Sequence, residues 1–77
     1  MMAQKSNLDV EKKIKEAVKD IDTVRVELRY AHSDFPAIGI SSWDENWEYC
    51  ECFIDEKNSL NSNVQRILRW AKECNVI

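Results

Sequence analysis

The chain has almost none of the residues that interrupt helices and strands, with one glycine and one proline in 77 residues. That scarcity, beside 44% apolar content, excludes a low-complexity tail and points to a folded globule. Histidine occurs once, at His32, and there is no glycine-rich phosphate loop, so common nucleotide-binding and hydrolase signatures are missing. No run approaches the roughly 20 apolar residues of a membrane span, which predicts no membrane partner. Met1-Met2-Ala3-Gln4-Lys5 lacks the apolar centre of a secretory signal, so the expected setting is cytoplasmic with thiols kept reduced. Three cysteines, an odd number, also argue against a disulfide scaffold. The length allows one domain, 1–77, near the lower size at which a core alone supports folding, with residues 1–6 expected to be disordered.

Charge is unevenly spread. The net value is −3, yet residues 1–42 balance to zero, residues 43–57 carry −5 and residues 58–77 carry +2. The acidity belongs to one stretch, Asp44, Glu45, Glu48, Glu51, Asp55 and Glu56. Such a balance argues against a nucleic-acid binder that works by neutralising phosphates.

The pattern that organises the rest is Ser41–Ile54, SSWDENWEYCECFI, read with the preceding Ala37-Ile38-Gly39-Ile40. A three-residue loop, Asp44-Glu45-Asn46, pairs Trp43 with Trp47, Ser41 with Tyr49, Ile40 with Cys50, Gly39 with Glu51, Ile38 with Cys52 and Ala37 with Phe53. Directly opposed residues share a face, so Ile38, Ile40, Cys50 and Cys52 fall on one side. Small residues oppose large ones on the other. A two-residue loop would place apolar residues opposite outward-facing ones, and Asn46 suits the left-handed last position of a three-residue loop.

The flanking segments read in order. Ser6-Asn7-Leu8-Asp9 predicts a helix start with Ser6 as cap. Val10, Ile14, Ala17, Val18 and Ile21 make an apolar stripe on a helix over about 7–20, which the aspartates at 20 and 22 end. Thr23–Tyr30 alternates as a half-buried strand, with Val24, Val26, Leu28 and Tyr30 on one face and Arg25, Glu27 and Arg29 on the other. Ala31–Pro36 is a connection, because Pro36 cannot donate to a ladder. Ser62-Asn63-Val64-Gln65 offers a capping box for a last helix, with Ser59 as an earlier start. Leu60, Val64, Ile67, Leu68, Ala71 and Cys74 are its apolar stripe, while Arg66, Arg69 and Lys72 are expected to face solvent.

The class is therefore α+β, in the order α-β-β-β-α, with a three-stranded antiparallel sheet and two helices packed on one face. Double-stranded RNA-binding domains are similar in element order alone. Those domains enter their last helix through lysines, whereas here the entry is Asn61-Ser62-Asn63-Val64-Gln65.

This layout leaves one sheet face open, with Arg25, Glu27 and Arg29 beside Trp43, Trp47, Tyr49, Glu51 and Phe53. Exposed aromatics beside arginine have the make-up of a protein-interface hot spot. They also fit a cross-strand cluster folded over small neighbours, or a surface that stacks bases. Cys50, Cys52, Cys74 and His32 could in principle hold zinc. However, residues two apart on a strand are separated by about 6.6 Å, too far for two thiolates each about 2.3 Å from one ion. They read as core cysteines. His32-Ser33-Asp34 contains the letters of a triad, but adjacent side chains do not converge as one. The acidic set reads as a charged strand edge or as a complement to a basic partner.

The leading expectation is a non-enzymatic protein-binding or regulatory module, such as an inhibitor, an immunity-type protein or a complex subunit. Trp43, Trp47, Tyr49 and Phe53 are its candidate anchors. Asp44, Glu45, Glu48, Glu51, Arg25 and Arg29 would choose the partner, a protein with a basic surface or a second copy in a homodimer. RNA or single-stranded nucleic acid is the alternative, through the sheet aromatics and Arg25, Arg29, Arg66, Arg69 and Lys72. No catalytic set, metal or cofactor is expected.

Overall fold

The computed structural model describes residues 5–43 and 48–77, with side chains from Asn7 onward. Helix α1 (Lys5–Ala17) leads to strands β1 (Val24–Arg29), β2 (Ala37–Ser42) and β3 (Tyr49–Phe53), and helix α2 (Leu60–Glu73) closes the chain. The sheet is antiparallel in the order β1-β2-β3. Its β2–β3 register pairs Ala37 with Phe53, Ile38 with Cys52, Gly39 with Glu51, Ile40 with Cys50 and Ser41 with Tyr49, as the sequence predicts. The predicted Trp43–Trp47 pair and the loop 44–46 lie outside the described residues.

Alternation along each strand then decides the layers. Val26, Ile38, Ile40, Cys50 and Ile54 point to the side that carries both helices. There they pack with Val10 and Ile14 of α1, with Val18 just after it, and with Val64, Ile67 and Ala71 of α2. Helix α1 lies over β1, α2 lies over β3, and the two helices touch each other. Full burial of such aliphatic side chains stabilises by about 1.5–3 kcal/mol each, so this layer is the source of stability.

Several boundaries differ from the sequence expectation, each for a local reason. Lys5 and Ser6 already belong to α1, so Ser6 is not its cap. At the other end α1 stops at Ala17 and tightens into i→i+3 bonds, Lys19 N–H to Glu16 O at 3.4 Å and Ile21 N–H to Val18 O at 2.9 Å. That tightening takes Ile21 off the core stripe, leaving it 40% exposed, and Ala17 at the end of α1 is exposed as well. Of the two candidate starts for α2 the structure uses Ser59, whose Oγ accepts from Ser62 N–H at 3.2 Å, not Ser62. Helix α2 ends in a Schellman motif, with Val76 N–H on Ala71 O at 2.9 Å and Asn75 N–H on Lys72 O at 3.1 Å. Asn75 has φ 62, and the turn folds Val76 into the core.

Candidate functional site

The open face is a three-by-three grid fixed by the two registers. Its rows are Arg25–Ser41–Tyr49, Glu27–Gly39–Glu51 and Arg29–Ala37–Phe53. The middle column is small, so the long side chains of the outer strands fold across it. A Cβ placed on Gly39 would lie 2.7 Å from Tyr49 Oη and 3.3 Å from Arg29 Cδ, which shows how closely the two lie over that backbone.

A polar network occupies the centre. Tyr49 Oη donates to Glu51 Oε2 at 2.7 Å, and Tyr30 Oη reaches the same oxygen at 3.5 Å. Arg29 donates to Glu27 Oε1 at 2.9 Å and places its Nε 3.9 Å from Glu51 Oε2. Burial of the hydroxyl end, followed by its bond to Glu51, pushes the Tyr49 phenol up to about 12. The bond to Glu27 is the main cause that raises the Arg29 guanidinium above its ordinary value. Tyr30 was expected on the helix side with Val24, Val26 and Leu28. Its φ of 56 turns it out of the strand, leaving it half exposed and brought to Glu51 instead. The turn that holds it uses Ser33, whose N–H and Oγ both donate to the Tyr30 carbonyl, at 3.1 and 2.8 Å.

Aromatic rings mark the two ends of the face. At one end Trp43 is 51% exposed, its N–H is held by Thr23 O at 2.7 Å, and the Arg25 guanidinium sits 5.2 Å from its ring centroid. At the other, Phe53 is 58% exposed and meets Phe35 edge to face, with centroids 6.2 Å apart. Phe35 is 70% exposed and was not among the expected anchors. The signal for it was present, since 35 shares the odd parity of Ala37 and Gly39, which aims it at Phe53.

The predicted site residues therefore separate. Trp43, Tyr49, Phe53, Glu51, Arg25 and Arg29 share the open face. Glu48 is exposed just before β3 and its carbonyl accepts from Ser42 N–H at 2.8 Å. Asp44, Glu45 and Trp47 lie outside the described residues.

Both edges of the sheet are partly plugged by helix side chains. The bonds Trp43 N–H to Thr23 O and Ser42 N–H to Glu48 O set the alternation of the two ladders. It turns the amides of Val24, Val26 and Leu28 to the β1 edge and those of Tyr49, Glu51 and Phe53 to the β3 edge. Glu11 of α1 accepts from Leu28 N–H at 2.8 Å. On the other edge Arg66 of α2 donates to the Phe53 carbonyl, to Cys52 Sγ at 3.2 Å and to Asn63 Oδ1 at 3.0 Å. Asn63, buried, clasps the next peptide, accepting from Asp55 N–H at 3.0 Å and donating to Asp55 O at 2.9 Å. Arg66 was expected to face solvent with Arg69 and Lys72. It is instead half-buried and spent on the backbone of β3.

The thiols belong to the helix side. Burial first, then neighbouring Cys74 and Cys52, pushes the Cys50 thiol up to about 12. Burial likewise raises Cys52, against the opposing effect of Arg66. Both are thus poor nucleophiles at neutral pH. Among the described residues no group of three or more His, Cys, Asp and Glu is placed to hold a metal ion, and no helix is long and apolar enough to cross a membrane. Comparison with protein-family models, with curated proteins and with solved structures finds no match to this chain.

Proposed function

We propose that this chain is a small non-enzymatic binding module that engages a protein partner through the open face of its sheet, as an inhibitor, an immunity-type protein or a complex subunit. The observation that carries this reading is the concentration of exposed rings there. Trp43, Tyr49, Phe53 and Phe35 are each between 46% and 70% exposed, while the opposite face is sealed by two helices. Half-exposed Trp and Tyr beside arginine supply large, stiff contact area with polar handles. The helix plugs on both edges favour docking on the face over strand addition at an edge.

A protein partner is favoured over nucleic acid by how the arginines are used. Arg25 covers Trp43, Arg29 is held by Glu27, and Arg66 is bonded to the β3 backbone. Each would have to give up a contact to reach a phosphate, and carboxylates stand beside the rings.

The test is affinity capture with wild type, with Trp43→Ala/Phe53→Ala, and with Arg69→Ala/Lys72→Ala on the exposed side of α2, alongside light scattering to detect self-association. Circular dichroism confirms that each variant is folded. The expected result is a partner, or a second copy, that the face variant loses and the helix variant keeps. A folded face variant that retains every partner and the wild-type mass would defeat the proposal.

A further inference from the structure

Besides Tyr49, whose hydroxyl is bonded to Glu51 at 2.7 Å, three aromatic stations line the open face, and two of them are covered by guanidinium groups of this chain. Arg25 lies 5.2 Å from the Trp43 ring centroid and Arg29 lies 5.5 Å from that of Tyr30. The third station is the Phe35–Phe53 pair, the most exposed of the three. Among the described residues, no arginine or lysine of this chain lies over it. A groove of about 520 Å³ opens beside these rings, between the β1–β2 connection and the loop that follows β3. Asp34, Asp55 and Glu56 border it, against Lys57. Arg66 also borders the groove, but its two terminal nitrogens go to the Phe53 carbonyl, Cys52 and Asn63, and its Nε is buried. Asp55 is partly engaged as well, accepting from Lys57 N–H at 2.9 Å. Asp34 and Glu56 remain as exposed carboxylates at the rim.

We infer that the Phe35–Phe53 groove seats an arginine or lysine side chain of the protein partner, with the rings under the cation and Asp34 and Glu56 beside it. The inference rests on the protein-binding reading and names the partner's chemistry at this end of the face. A phenyl ring offers its negative face to a cation and has no hydrogen bond to give a neutral polar group. The rim carboxylates oppose an anion and compensate a cation for the water it leaves. The same face applies this solution twice within the chain, over Trp43 and Tyr30.

The test uses an acetylated peptide of alternating arginine and serine, with a second peptide carrying citrulline, which keeps the shape of arginine and removes its charge. The chain has two phenylalanines, so their labelled ring signals report the groove directly by NMR. The expected result is a saturable shift of both rings with the arginine peptide, lost in Phe35→Ala and absent with citrulline. Asp34→Asn/Glu56→Gln should weaken binding by roughly two- to five-fold. Circular dichroism checks that both variants stay folded. An equal response to citrulline, no ring shift at millimolar peptide, or indifference to the rim charges overturns the inference. If a captured partner depends on Trp43 and Phe53 while the rings ignore arginine, the binding reading stands and this inference falls.

Discussion

Ile40 and Gly39 are neighbours on β2 and both are buried, yet different materials cover them. Ile40 lies beneath two helices in a cluster that includes Ile14, Ile38 and Ile67. Gly39 lies beneath the Tyr49 hydroxyl and the Arg29 stem, side chains whose own outer surfaces meet solvent. Helices are fixed by many contacts at once, whereas a tyrosine or an arginine can turn about its own bonds and be replaced by a partner's atoms. One sheet thus carries a face that holds the fold and a face that can be re-covered.

The largest expected effects break that comparison if it is false. Ile40→Ala leaves a cavity in a fully covered layer and should destabilise by about 2–5 kcal/mol. Trp43→Ala removes a ring that is 51% exposed, and should cost no more than about 1 kcal/mol. Urea denaturation measures both. Equal losses would mean that the outer aromatics are part of the core and not a surface, and the binding reading would lose its support.

Intermediate effects are expected at the two edges, which are plugged with unequal strength. Asn63→Ala removes both bonds to the Asp55 peptide from a buried position, and should cost about 1–3 kcal/mol. Glu11→Ala frees the Leu28 N–H and removes the partly exposed ion pair with Lys15 at 3.6 Å, and should cost about 1 kcal/mol. The smaller stability loss should carry the larger change in association. The β1 edge then regains a donor for pairing with another chain, which light scattering at rising concentration would detect. A Glu11→Ala protein that stays monomeric would show that the plug serves stability alone.

Much of this was legible in the sequence, because strands with period two are decided by one register. The five β2–β3 pairs follow from asking which loop length keeps apolar residues together, and the open face follows from the pairs. What was hidden depends on single dihedrals or on distant partners. Tyr30 continues the alternation on paper, yet a positive φ sends it to the other face. Nothing in the spelling of α2 says that Asn63 and Arg66 reach back to Asp55 and Phe53. Both match an N-terminal capping box or a solvated helix equally well. Val76 was missed although Asn75 before it is a common left-handed stop.

The smallest effect on stability tests the outer covering most directly. Gly39→Ala puts a methyl group 2.7 Å from the Tyr49 hydroxyl, and that ring end is the part able to move. The ring should swing outward and lose its bond to Glu51. Released from burial and from that carboxylate, the phenol should fall from about 12 towards its ordinary 10. With Tyr30 the only other tyrosine, a spectrophotometric titration of the variant and of Tyr30→Phe controls resolves the shift. The sign for stability follows. A phenol whose value is raised on folding favours the folded state below its unfolded value near 10 and loses that contribution as pH rises towards 12. Wild type should therefore weaken over this range more than Gly39→Ala does. If the Tyr49 titration is unmoved in Gly39→Ala, the hydroxyl is not held over β2, and the covering of the open face is looser than the grid describes.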